Sequence, residues 1–131
     1  MHIRTCTFIL LASTFPLLAH HQFSSEYDQG KPMNLAGTFV KADWKQPHAY
    51  IYLDVTDQNG KTEEWKLEMA SPAYLEQQGL NAKSIKGGEQ LRVTAYGATN
   101  NSHTASARMM TMPDGRSVQV ADPQEDGGPA K

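Results

Sequence analysis

The sequence predicts an all-β chain with one short helix: three strands, the helix, then two strands. Three observations predict it. Apolar and polar residues alternate through several short runs, the period of a half-buried strand. Turn residues punctuate those runs at close intervals. The period becomes helical only in the stretch 71–79.

The elements follow in order. Residues 33–44 read as a first strand, with Gly37 in its middle where a bulge or strong bend is expected. In 48–56, Ile51, Leu53 and Val55 face one way and His48, Tyr50, Tyr52 and Asp54 the other. Asp57-Gln58-Asn59-Gly60 is a hairpin turn, because Asn-Gly tolerates positive φ. The return strand, 62–69, points Trp65, Leu67 and Met69 inward and Glu64, Lys66 and Glu68 outward. Ser71 is a helix cap with Pro72 in the first turn. The helix then runs over 73–78, turns Tyr74 and Leu75 to the core, and ends at Gly79. A second turn or short helix is expected at 81–85. Strands at 89–98, with Leu91, Val93 and Ala95 inward, and at 103–112 follow, then a last extended piece at 117–120 after Pro113-Asp114-Gly115.

This order matches the five-stranded Greek-key barrel called the OB-fold, whose helix lies between strands 3 and 4. A bent, glycine-bearing first strand fits a strand that must curl through both halves of a closed sheet. An open meander, or a small sandwich with an edge helix, is the alternative.

The N-terminus predicts export. Met1-His2-Ile3-Arg4 carries one fixed positive charge, and 5–18 holds Phe8, Ile9, Leu10, Leu11, Phe15, Leu17 and Leu18 without a charge. That is a signal peptide too short to span a bilayer stably, with a cut expected between Ala19 and His20. The alternative is an uncleaved N-terminal anchor or a buried strand. The expected organisation is a signal peptide over 1–19, an N-terminal arm over 20–32, the barrel over 33–120 and a disordered acidic tail over 121–131. The sole cysteine, Cys6, would leave with the signal, so a periplasmic or secreted chain would fold without disulfides. Without Arg4 the chain has 11 basic residues against 14 acidic ones and no basic cluster. That balance argues against a nucleic-acid partner and against a membrane surface after signal removal. Tyr50 and Tyr52 share their outer face with Asp54, which suits half-exposed strand positions better than a base-stacking platform.

Several segments together resemble a known family. They are Ala19-His20-His21-Gln22-Phe23, Glu26-Tyr27-Asp28, Trp44-Lys45-Gln46-Pro47-His48-Ala49, Glu68-Met69-Ala70-Ser71-Pro72, and Ala107-Arg108 followed by Pro113-Asp114-Gly115. The chain resembles a family of small exported bacterial proteins catalogued as a domain of unknown function. Its members typically read Ala-His-His-Ser-Phe at the mature start and Trp-x-Asn-Pro-His before the second strand. Gln22, Gln46 and Leu80 depart from the serine, asparagine and tryptophan usual there. The resemblance implies secretion and the fold and names no reaction.

The histidines carry the candidate chemistry. A mature chain starting at His20 would chelate a metal ion through both its amine and its ring, and His48 would add a second imidazole. Three nitrogens so arranged suit Cu(II), which prefers tetragonal N/O ligation; zinc is the other candidate. His21 is a competing ligand. Glu26 and Asp28 are candidate supporting carboxylates, and Asp43 is a candidate to orient His48. His103 is expected in a turn, exposed, and Glu63, Glu64 and Glu68 on a solvated strand face. No nucleophile motif, phosphate loop or recognisable carboxylate pair is present, so no enzymatic activity is predicted. Two readings stand: a periplasmic copper-binding protein, or a metal-free interaction module that binds a protein or small molecule.

Overall fold

The computed structural model describes residues 25–125. In chain order the elements are β1 (Tyr27–Asp43), β2 (Tyr50–Thr56), β3 (Thr62–Glu68), helix α1 (Pro72–Gln77), β4 (Gln90–Ala98), β5 (Thr104–Thr111) and β6 (Ser117–Gln119). Sheet neighbours run β3-β2-β1-β4-β5-β6, and β3 also pairs in parallel with β5. That last ladder, Lys66 opposite Thr104 and Glu68 opposite Ser106, closes five strands into a ring. The OB-like barrel with its helix after the third strand is therefore the observed architecture, and the open meander and the sandwich are not.

Closure depends on β1. Its first part pairs with β4 and its last part with β2, and Thr38 lies opposite both Gln90 and Asp54. Gly37 stands just before this changeover. A Cβ there would lie 2.7 Å from the Asp54 carbonyl oxygen and 3.0 Å from Val55 Cγ2, so only glycine lets β2 approach. The register then shifts between Phe39 and Lys41, a bulge that leaves Val40 unopposed and 40% exposed. The bend expected at glycine is thus divided between a close approach and a bulge three residues later.

The core forms where the alternation predicts. Ile51, Leu53, Leu67, Leu91, Val93 and Met110 are fully buried, and Leu75 of α1 joins the same cluster. Ser71 caps the helix, its Oγ accepting from Tyr74 N at 3.3 Å. Asn81 to Ser84 is a turn and not a second helix. In the β2–β3 turn, Asp57 Oδ1 accepts from Asn59 N and Lys61 N while Gly60 takes φ +80°.

Both ends of the expected barrel differ. β1 begins at Tyr27, so residues 27–32, read as arm, belong to a strand, and Tyr27 and Pro32 pair with Ala98 and Tyr96 of β4 across a register shift. Residues 121–125, read as disordered tail, continue the fold: Ala121 is buried and Glu125 N bonds to Asp122 O. The reason is shared, since long-range pairing at each end supplies partners that local composition does not reveal. Residues 1–19, expected to be a signal peptide, His20, His21 and residues 126–131 lie outside the described residues. No helix among the described residues is long and apolar enough to cross a membrane.

Candidate functional site

Hairpin register builds the site. Counting outward from the Thr56–Thr62 pair places Glu68 opposite Tyr50, and the parallel ladder places it beside Ser106 of β5. Ala49 is fully buried and bonds through its backbone to Met69 and Ala70. Its neighbours His48 and Tyr50 therefore both turn to the outer face, where Glu68 also points. Glu68 gathers three groups: Tyr27 Oη donates to its Oε2 at 2.7 Å, Tyr50 Oη donates to the same oxygen at 3.4 Å, and His48 Nδ1 lies 3.0 Å from Oε1.

The other ring nitrogen of His48, Nε2, faces Glu125 Oε2 at 2.9 Å. With a carboxylate on each nitrogen the imidazole gains most by carrying both protons. The Glu68 hydrogen bond, opposed by burial and aided by both carboxylate charges, pushes the His48 pKa up to about 9. For Glu68, burial raises the pKa, but hydrogen bonds from His48 and Tyr27 outweigh it and hold the carboxyl below its usual value. Burial and the Glu68 carboxylate push Tyr50 up to about 12 and raise Tyr27 further. Both phenols thus stay neutral donors at ordinary pH.

These groups line a cleft of about 440 Å³ between the start of β1, the β1–β2 loop, the end of β3 and the C-terminal segment. Glu26, Tyr27, His48, Tyr50, Glu68 and Glu125 are all on its wall. Of the candidate site residues His48, Glu26, Asp28 and Asp43, which lie among the described residues, His48 and Glu26 meet there. Asp28, within β1, accepts from Gly30 N at 2.8 Å, a contact local to its own strand. Asp43, expected to orient His48, accepts instead from Tyr52 Oη at 3.1 Å, and Glu68 orients the histidine. The solvated strand face expected for Glu68 is also corrected, since its side chain keeps only 18% exposure. His103 is 44% exposed, as its turn position suggests, but has partners: Nε2 lies 2.9 Å from Glu63 and its ring stacks on Trp65 at 4.9 Å. Among the described residues no group of three or more His, Cys, Asp or Glu side chains is arranged to hold a metal ion.

Glu68 was within reach of the sequence, because the Asn-Gly turn sets the register that pairs it with Tyr50. Tyr27 and Glu125 were not, since they arrive from opposite ends of the chain.

Comparison with known proteins adds a family. The model of a family of unknown function, DUF6152, matches residues 9–108. A search of curated proteins gives no match. Among solved structures the chain is similar to the mitochondrial single-stranded DNA-binding protein Rim1 of S. cerevisiae, at 10% identity and TM-score 0.49, over 63% of this chain and 92% of that one. A second crystal structure of Rim1, selenomethionine-labelled, is similar at 8% identity and TM-score 0.46, over 70% and 97%.

Proposed function

The chain belongs to that family of unknown function, DUF6152, and from this premise we propose that it is an exported protein that binds one copper ion beside the barrel. The ligands are the amine and ring of an N-terminal His20, exposed by cleavage after Ala19, and Nε2 of His48. His21 is the competing ligand. The observation that carries the reading is the hold of Glu68 on His48 Nδ1 at 3.0 Å. A carboxylate on one nitrogen fixes the ring and raises the basicity of the other, the usual support for a ligating histidine. Here the other nitrogen meets Glu125, which lines the cleft together with His48.

Chain geometry supports the same reading. Glu26 lies on the cleft wall, and the six residue steps back to His20 reach at most about 20 Å when extended. No described cluster suffices alone, so a site here needs ligands from beyond residue 25, and His20 offers two. Imidazole and amine nitrogens without thiolates favour Cu(II), and zinc is the competitor to include.

One observation favours the metal-free interaction module: both nitrogens of His48 are already engaged by carboxylates. A titration separates the two. The exported, processed chain, its mass confirming the cut after Ala19, is titrated with Cu(II) and with Zn(II) and followed by EPR for copper. The copper reading expects one equivalent bound, and an affinity at least about tenfold weaker both in His48→Ala and when one residue is added before His20. Tight binding unchanged by both alterations overturns it, and absence of binding leaves the interaction module.

A further inference from the structure

We infer that residues 122–125 form a strap on the cleft, latched by Glu125 to His48 and opening as a unit from a hinge at Ala121. The strap stands apart from the copper reading, since any ligand for His48 Nε2, metal or organic, must first displace Glu125. The chain changes character at the hinge. Up to Ala121 the barrel holds it: Val120 N donates to Arg108 O at 3.0 Å, Ala70 N donates to Val120 O at 2.7 Å, and Val120 and Ala121 are buried. Beyond that point the backbone bonds close within the turn itself. Gln124 N donates to Asp122 Oδ1 at 2.9 Å, and Glu125 N donates to Asp122 O at 3.1 Å. Pro123 and Gln124 are exposed, and Asp122 and Glu125 are half-buried. The turn therefore carries its own hydrogen bonds when it moves and uncovers little apolar surface. Segments of that kind open far more easily than the whole domain unfolds.

The latch joins this turn to the barrel. Asp122, Glu125 and His48 all line the cleft, and Glu125 Oε2 stands 2.9 Å from His48 Nε2. Glu125 is 41% exposed and His48 30%, so water solvates each partner as they separate and the bond is a weak one to break. The receiving half belongs to the barrel. Glu68 holds His48 Nδ1 at 3.0 Å and is itself held by the Tyr27 and Tyr50 hydroxyls. The ring therefore keeps its aim while the strap is away, and the latch can close again on the same nitrogen. Opening frees Nε2 and the cleft wall beside it, where Ser106 of β5 lies only 6% exposed.

The test is thiol labelling of the metal-free processed chain, which lacks Cys6, at fixed pH and salt. Ser106→Cys places a reporter on the cleft wall, and Ala105→Cys places a control at a fully buried core position of the same strand. Iodoacetamide should modify Ser106→Cys slowly. Adding Glu125→Gln, which weakens the latch, or Asp122→Ala, which removes the acceptor that folds the turn, should speed that reaction at least about threefold. Labelling of Ala105→Cys should not change. Ser106→Cys rates unmoved by both changes overturn the strap, and so do rates that rise equally at both cysteines, which report unfolding of the whole barrel. A second measurement needs no cysteine: amide hydrogen exchange by NMR in the wild type and in Glu125→Gln. The strap expects faster exchange at Gln124 with Val120 unchanged. Equal exchange at Gln124 in the two proteins, or equal acceleration at Val120, overturns it. Copper titration does not enter either measurement, so the strap and the copper reading fail separately.

Discussion

At the scale of the residue, His48 shows how register makes chemistry from ordinary side chains. Its imidazolium lies between Glu68 and Glu125, so the folded metal-free protein holds that proton more tightly than the unfolded chain. The contribution to stability is full below the ordinary value of 6.5 and is lost as pH rises through about 9. Urea midpoints measured without metal should fall across that window, and His48→Gln should flatten the fall. Glu68 acts at the acid end. Its lowered pKa stabilises the fold above the usual carboxylate value, and that stabilisation is lost as pH drops through the folded value. Glu68→Ala leaves Tyr27, Tyr50 and His48 without their shared acceptor and should cost about 2 kcal/mol or more. Glu64→Ala, on an exposed position of the same strand, should stay within about 0.5 kcal/mol. Denaturant titration of both variants checks the contrast.

At the scale of the element, β1 carries the demand for curvature. Gly37→Ala would drive a Cβ to 2.7 Å from the Asp54 carbonyl, and backbone cannot yield as a flexible side chain can. A loss of about 2 kcal/mol is expected, read by thermal or urea unfolding. Ser71→Ala removes the Oγ acceptor of the helix cap and should cost about 1 kcal/mol by the same measurement. Both sites were legible because each rests on a local rule: glycine amid a strand marks close backbone approach, and Ser-Pro opens a helix. The bulge at Val40 was not legible, since no residue there differs from an ordinary strand position, and it shows only in the pairing with β2.

At the scale of the whole molecule, the C-terminal segment belongs to the barrel and the cleft at once. β6 pairs with β5, and Val118 and Val120 are buried. A chain ended at residue 116 loses both valines from the core and the Ala70–Val120 hydrogen bond, and should lose about 3 kcal/mol or more of stability. A chain ended at residue 125 keeps those contacts together with Glu125, and should melt above the chain ended at residue 116. Comparing the two melts shows whether stability resides in residues 117–125.

The sequence by itself determined the strand periods, the hairpin turn, the capped helix and the inward residues of β2, β3 and β4, because each depends on neighbours within a few positions. From those the order of elements followed, and with it the barrel. It also singled out His48. The hairpin register brought Glu68 to its side, and only the tertiary structure decided what else surrounds that histidine. Glu68 comes from the facing strand, Tyr27 from the start of β1 and Glu125 from the far end of the chain. The physical reason is that a period tells which face a side chain takes, whereas a partner distant in sequence is chosen by ring closure. The parallel β3–β5 ladder makes that choice, and it sets the end of β3 beside β5 and the C-terminal segment.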